Sequence, residues 1–137
     1  MEQNGILVLK DTYVEFAPDL MLFGREDAAS DARCTDAIPN PAPARFLLVA
    51  DHQSDSVREH AASYAADLQL SGHTHAGQFF PLKWIYTFFT NAYGEYTHGA
   101  TTLYVSAGAS GWRVPFRTDA HCHFEVVTLQ PEQENTA

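Results

Sequence analysis

Positive charge is scarce in this chain. Only 8 of 137 residues are Lys or Arg, against 17 Asp and Glu, which leaves a formal charge of −9. A polyanion such as nucleic acid would be repelled by that balance, so nucleic acid is excluded as a bulk partner. A small phosphorylated substrate, its charge met locally by metal ions, stays compatible. Cysteine is scarcer still. Cys34 and Cys122 form neither a disulfide framework nor a CxxC motif. They read as free thiols of a reducing compartment, so the expected location is cytoplasmic. No apolar run approaches the roughly 20 residues that cross a bilayer. No basic stretch followed by an apolar core opens the chain, so no secretory leader is expected. Membrane association of a longer parent stays open.

What remains suits one globular domain of mixed α/β class. A chain of this length buries roughly 68% of its unfolded surface, enough for a real core. Ile6 to Leu9 is a short apolar run. Tyr13–Phe16 and Leu20–Phe23 read as strands joined by a turn at Ala17-Pro18-Asp19, which suggests an antiparallel meander. Gly24 to Asp36 is polar and Ala-rich and reads as a short helix, and Pro39 to Pro43 as a loop. Phe46 to Ala50 is continuously apolar, as in a strand buried on both faces. Ser56-Val57-Arg58-Glu59 has the form of a capping box. From there Val57, Ala61, Tyr64, Ala65 and Leu68 make a helical stripe, and Asp67 to Leu70 follows as a strand. Strand, helix and strand make a βαβ unit with parallel strands. Phe79 to Phe89 reads as a loop with a short helix. Gly94–His98, Thr102–Ser106 and His123–Leu129 read as strands, and residues 130–137 as a polar tail behind a domain spanning 1–129.

The chemistry concentrates in Gly72-His73-Thr74-His75-Ala76-Gly77-Gln78. In an extended backbone, side chains at i and i+2 share a face, so both imidazoles could reach one small volume. Neutral imidazole suits ions such as Zn, Fe, Mn and Ni. His52 lies just past the end of the 46–50 strand, and His73 and His75 lie just past the next one. In open α/β sheets, ligand sites form beyond the carboxyl ends of the strands. The topology therefore gathers His52, His73 and His75 as metal ligands. Asp51 and Gln78 are candidates for orienting those ligands from behind. Arg113 and Arg117 flank Pro115 and are candidates for phosphate contact, since arginine forks match phosphate oxygens. His121 and His123 read as a solvent-facing strand start, and His60 and His98 as structural.

These residues resemble a known family. "LLVADHQ" at 47–53 followed by "ADLQLSGHTHAGQ" at 66–78 is similar to the C-terminal half of the calcineurin-like metallophosphoesterases, in the bacterial branch whose last motif reads GHTHGGQ. "GILVLKD" at 5–11, "FGRED" at 23–27 and "LYVSAGASGWRVPFR" at 103–117 extend the likeness over nearly the whole chain. The resemblance implies a four-layer αββα sandwich, of which this chain would supply the C-terminal half. It implies hydrolysis of phosphomonoesters or phosphodiesters at two divalent ions about 3.5–4 Å apart. By position, His52 and His73 would bind one ion and His75 the other. The family's DxH, GD and GNH[DE] motifs, which carry the bridging aspartate and the remaining ligands, do not occur before His52. The chain thus reads as a gene fragment, a piece of a longer protein or one half of a split one, and could be inactive alone. Its open sheet would self-associate or pair with a missing N-terminal half. Two rivals remain: a non-catalytic metal-binding or interaction module with a three-His site, and a mononuclear His₃ zinc hydrolase.

Overall fold

The computed structural model describes residues 4–34, 42–59 and 65–131. Its frame is one mixed sheet of six strands: β1 (Thr12–Ala17), β2 (Leu20–Gly24), β3 (Phe46–Ala50), β4 (Leu68–Ser71), β5 (Gly94–His98) and β6 (Thr101–Val105). Their spatial order is β1-β2-β3-β4-β6-β5. Strands β2, β3, β4 and β6 run parallel, while β1 and β5 close the two edges antiparallel. Helix α1 (Asp55–Glu59) follows β3, and α2 (Leu82–Phe89) lies between β4 and β5. This mixed architecture is consistent with half of a metallophosphoesterase sandwich.

The register explains the core. Phe23 pairs with Val49, Val49 with Gln69, and Gln69 with Leu103, so these side chains share one face. Leu47, Val49, Leu103 and Val105 are fully buried there, with Val57 of α1 and Ala66 packed onto them. On the opposite face Leu22, Leu48, Leu70 and Tyr104 are only half-buried.

The βαβ unit forms as its apolar pattern predicts, with β3 and β4 parallel. Several other expectations fail. The meander is a single hairpin, because β2 turns from β1 to run parallel to β3. Residues 24–34 hold no helix, and Ile6–Leu9 form no strand. Ser56 does not cap its helix. It lies inside α1 and donates its hydroxyl to the charged acceptor Asp51 Oδ2 at 2.9 Å. Leu68 opens β4 rather than closing the helical stripe. Ala61 and Tyr64 of that stripe, His60, and Pro39 to Pro41 lie outside the described residues. Residues 123–129 form no strand despite their alternation. No neighbouring strand pairs with them among the described residues, and Phe124 and Val126 stand exposed.

Candidate metal centre

The carboxyl ends of β2, β3, β4 and β6 share one sheet edge, so the segments after them converge there. These are Arg25–Asp27, Asp51–His52, Gly72–His75 and Ser106–Gly108. Backbone bonds extend the ladder past the strands: Asp51 N donates to Leu70 O at 3.1 Å, Gly72 N to His52 O at 3.0 Å, and Ser106 N to Ser71 O at 2.8 Å. Asp51 and His52 then part by simple alternation. Asp51 points inward and is buried, while His52 is exposed.

The His-Thr-His segment is not extended. His73, His75, Ala76 and Gln78 all have positive φ (69°, 52°, 51° and 53°), and Thr74 between the histidines is right-handed helical. The shared-face argument for i and i+2 therefore does not apply. The turn is held by Thr74, whose Oγ1 accepts from Ala76 N at 3.3 Å and donates to Ala92 O. Gly77, at φ +80°, lets α2 pass so close that a Cβ there would stand 2.2 Å from Lys83 N.

The two imidazoles consequently meet different neighbours. His73 faces His52 edge-on, with ring centres 5.1 Å apart. Two imidazoles on one tetrahedral ion, at metal–nitrogen distances near 2.1 Å, hold their centres about 5 Å apart. The His52–His73 spacing thus fits a shared ion. His75 instead has Nδ1 3.2 Å from Ser110 O and 3.2 Å from Arg117 Nη2. If Nδ1–H donates to Ser110, Nε2 keeps its lone pair for a ligand. Among the described residues, no three His, Cys, Asp or Glu side chains gather into a group able to hold a metal. The residues present fit part of a metal site.

A cleft of about 650 Å³ is lined by His52, His73, His75, Asp27, Gln53 and Tyr86, with other residues. Asp27 is the residue that sequence reasoning missed. Its carboxyl is held below the usual carboxylate range, first by the Ala29 N–H (2.7 Å), then by the Gln53 amide (3.2 Å), and then by the nearby His52 and His73. The available signal was its place two residues beyond Arg25 at the end of β2. Only a parallel β2 brings it to this edge.

The remaining candidates are absorbed by the framework. Asp51 accepts both prongs of the Arg33 guanidinium, at 3.1 and 2.6 Å, and also Ser56 Oγ and Gln53 N. No hydrogen bond joins it to the His52 ring. Gln78 is buried and ties down the 112–118 loop: Nε2 donates to Trp112 O (3.1 Å) and Phe116 O (3.2 Å), and Oε1 accepts from Trp112 N (2.6 Å). Arg117 gives its donors to the carbonyls of His75, Gly108 and Ser110, so it is a loop clasp here rather than a phosphate fork. Arg113 is exposed, its guanidinium 4.8 Å from the Trp112 ring centre. Cys34 and Cys122 are free and exposed.

Comparison with known proteins decides the family. A metallophosphoesterase of Helicobacter pylori is 35% identical over 112 residues, covering 80% of this chain and 30% of the relative. A second, from another strain of that species, is 40% identical over 85 residues, covering 61% and 23%. A Bacillus subtilis metallophosphoesterase is 31% identical over 118 residues, covering 82% and 38%. The chain belongs to the calcineurin-like metallophosphoesterase family. It spans between 23% and 38% of the length of these relatives. No family model matches the chain, and no solved structure matches it. Divalent-metal dependence is thereby implied for this metallophosphoesterase family. No helix among the described residues is long and apolar enough to cross a membrane.

Proposed function

We propose that this chain carries the C-terminal part of a dinuclear metal-dependent phosphoesterase site that hydrolyses small phosphomonoesters or phosphodiesters. The observation that carries the reading is the 5.1 Å pairing of His52 and His73 at the carboxyl edge of a parallel sheet. In this reading His52 and His73 hold one ion, His75 serves the second through Nε2, and the other ligands come from residues outside this chain. Ions of this class, Mn, Fe, Zn or Ni, supply charge neutralisation of the phosphoryl group and a nucleophilic water at neutral pH. The chain's own residues do the positioning. Ser110 O fixes the His75 ring by accepting from Nδ1–H, and Asp27 adds negative charge to the cleft. The half-buried sheet face of Leu22, Leu48 and Leu70 is where the rest of the sandwich, or a second copy, would pack.

A second reading, a non-catalytic metal-binding module, is favoured by the lack of three convergent donors among the described residues. Titration of the chain with Mn²⁺ by calorimetry, alongside hydrolysis of an aryl phosphodiester, separates the two. The first reading expects weak binding that drops about tenfold or more in His52→Ala and in His73→Ala, with little turnover until the missing ligands are supplied. Binding indifferent to both substitutions sinks both readings. Tight stoichiometric binding of a single ion that never supports turnover, even with the longer parent, favours the module.

A further inference from the structure

We infer, on the basis of the metal site proposed above, that Asp27 is a positioning residue: held in place by Gln53, it supplies the carboxylate charge that draws a divalent cation to His52 and His73. The imidazoles are neutral donors, so negative charge that attracts a cation must come from other groups. Two carboxylates line the cleft with them, Asp27 and Asp55, and no Lys or Arg does among the described residues. Asp55 is engaged by the Thr90 hydroxyl at the end of α2. Asp27 is near enough for both His52 and His73 to act on its charge.

Its placement is built by the sheet. β2 and β3 run parallel with Gly24 opposite Ala50, so the segments after them leave side by side. Arg25 N donates to Ala50 O at 2.9 Å and carries the pairing one residue further. Gln53, next to His52 in the chain, then bridges the two segments with one amide. Its Oε1 accepts from Ala28 N at 3.2 Å, and its Nε2 donates to Asp27 Oδ2 at 3.2 Å. Gln53 is itself fixed: its N donates to Asp51 Oδ1 at 3.1 Å and its O accepts from Gln69 Nε2 at 3.2 Å. Ala29 N donates to Asp27 Oδ1 at 2.7 Å. A carboxylate has about four lone-pair sites, and these two bonds leave about half of them for the cleft. The loop has anchors besides this carboxylate, in Arg33 on Asp51 and Ala28 N on Gln53. Asp27 is not a ligand in this arrangement, since no three donor side chains gather among the described residues. It acts on the ion through its charge. Because Asp27 is exposed, that attraction is screened over about 8–10 Å and is worth up to about tenfold in affinity at low ionic strength.

Calorimetric titration of the full chain with Mn²⁺ at low ionic strength measures the effect. Paramagnetic broadening of the histidine ring signals in NMR spectra reports where the ion sits. Asp27→Asn is expected to weaken Mn²⁺ binding about threefold to tenfold, by an amount that shrinks as salt is added. Asp27→Glu keeps the charge on a longer stem and disturbs the bonds to Ala29 and Gln53, so it should recover most of the affinity. A residue that only braced the loop would lose as much in either variant. Asp55→Asn should weaken binding less than Asp27→Asn. Broadening at His52 and His73 with equal affinity in the parent and Asp27→Asn overturns the inference and leaves the metal reading standing. An equal loss in Asp55→Asn, or no recovery in Asp27→Glu, does the same. No broadening of either ring in the parent overturns the metal reading itself, and the role of Asp27 falls with it.

Discussion

Replacing Asp51 tests whether the residue beside His52 serves the fold or the metal. Its side chain is fully buried and takes both prongs of Arg33, itself only 10% exposed, at 3.1 and 2.6 Å. Ser56 Oγ at 2.9 Å and Gln53 N at 3.1 Å complete its bonding, and Arg25 Nε stands 3.9 Å away. Removing one partner of a buried pair costs about 3–5 kcal/mol, because the other charge is left unmatched. Arg33 keeps some access to water and also donates to Glu26 O at 2.8 Å, so the lower end applies to Asp51→Ala, about 3 kcal/mol. Asp51→Asn preserves the shape and an acceptor for Ser56, and should cost about 1.5–3 kcal/mol. With a urea slope of about 2 kcal/mol per molar, the alanine variant's midpoint falls by about 1.5 M. Arg33→Met combined with Asp51→Leu should recover much of the loss, since an apolar pair replaces an ionic one at little net cost. Mn²⁺ affinity of the folded Asp51→Asn protein should stay within about twofold of the parent, because no hydrogen bond runs from Asp51 to the His52 ring. A cost below about 1 kcal/mol, or a tenfold loss of metal affinity in that variant, refutes the assignment of Asp51 to the framework.

Two further outcomes follow from the same edge of the sheet. Gly77→Ala should displace α2, since the new Cβ would meet Lys83 N at 2.2 Å and Leu82 C at 2.7 Å from a left-handed backbone. The expected fall in Tm is about 5 °C or more, whereas Gly72→Ala, whose Cβ finds nothing nearer than His52 Nδ1 at 3.9 Å, should leave Tm nearly unchanged; equal effects would contradict the geometry. Asp27 supplies the pH dependence. Its folded pKa lies below the ordinary 3.8, so its stabilisation is present above that value and is lost as pH falls through the lowered one. Asp27→Asn should therefore melt below the parent at pH 7 and converge with it only as pH falls through the lowered carboxyl pKa, and a gap that stays constant throughout the acid titration would remove Asp27 from the charge balance of the cleft.

The βαβ unit was legible because burial on both faces leaves an unbroken apolar run, and Phe46–Ala50 has one. The family was legible from the glycine-flanked histidines and the DHQ upstream. The direction of β2 was not, and that single reversal governs much of the site. The turn at Ala17-Pro18-Asp19 correctly joins β1 to β2, but a turn says nothing of the strand pairing on the other side of β2. The link from β2 to β3 holds no regular helix among its described residues, so the usual composition cue for a parallel crossover is missing. Read as antiparallel, Arg25–Asp27 belong to the opposite edge, and Asp27 cannot be a candidate. Read as parallel, they lie beside His52, and Asp27 enters the cleft. The histidine pair fails differently. Alternation assumes extended backbone, yet the positive φ at His73, His75, Ala76 and Gln78 is imposed by tertiary closure between β4 and α2, at a backbone cost that no local pattern records. Ala76 makes the point sharply, since a non-glycine residue at φ 51° carries no sign of left-handed backbone in its side chain. Once that turn is left-handed, His73 must swing toward His52 while His75 turns to Ser110 and Arg117. Divergence of the two imidazoles is then a consequence of the turn, and a site that needs one histidine for each of two ions requires just such divergence.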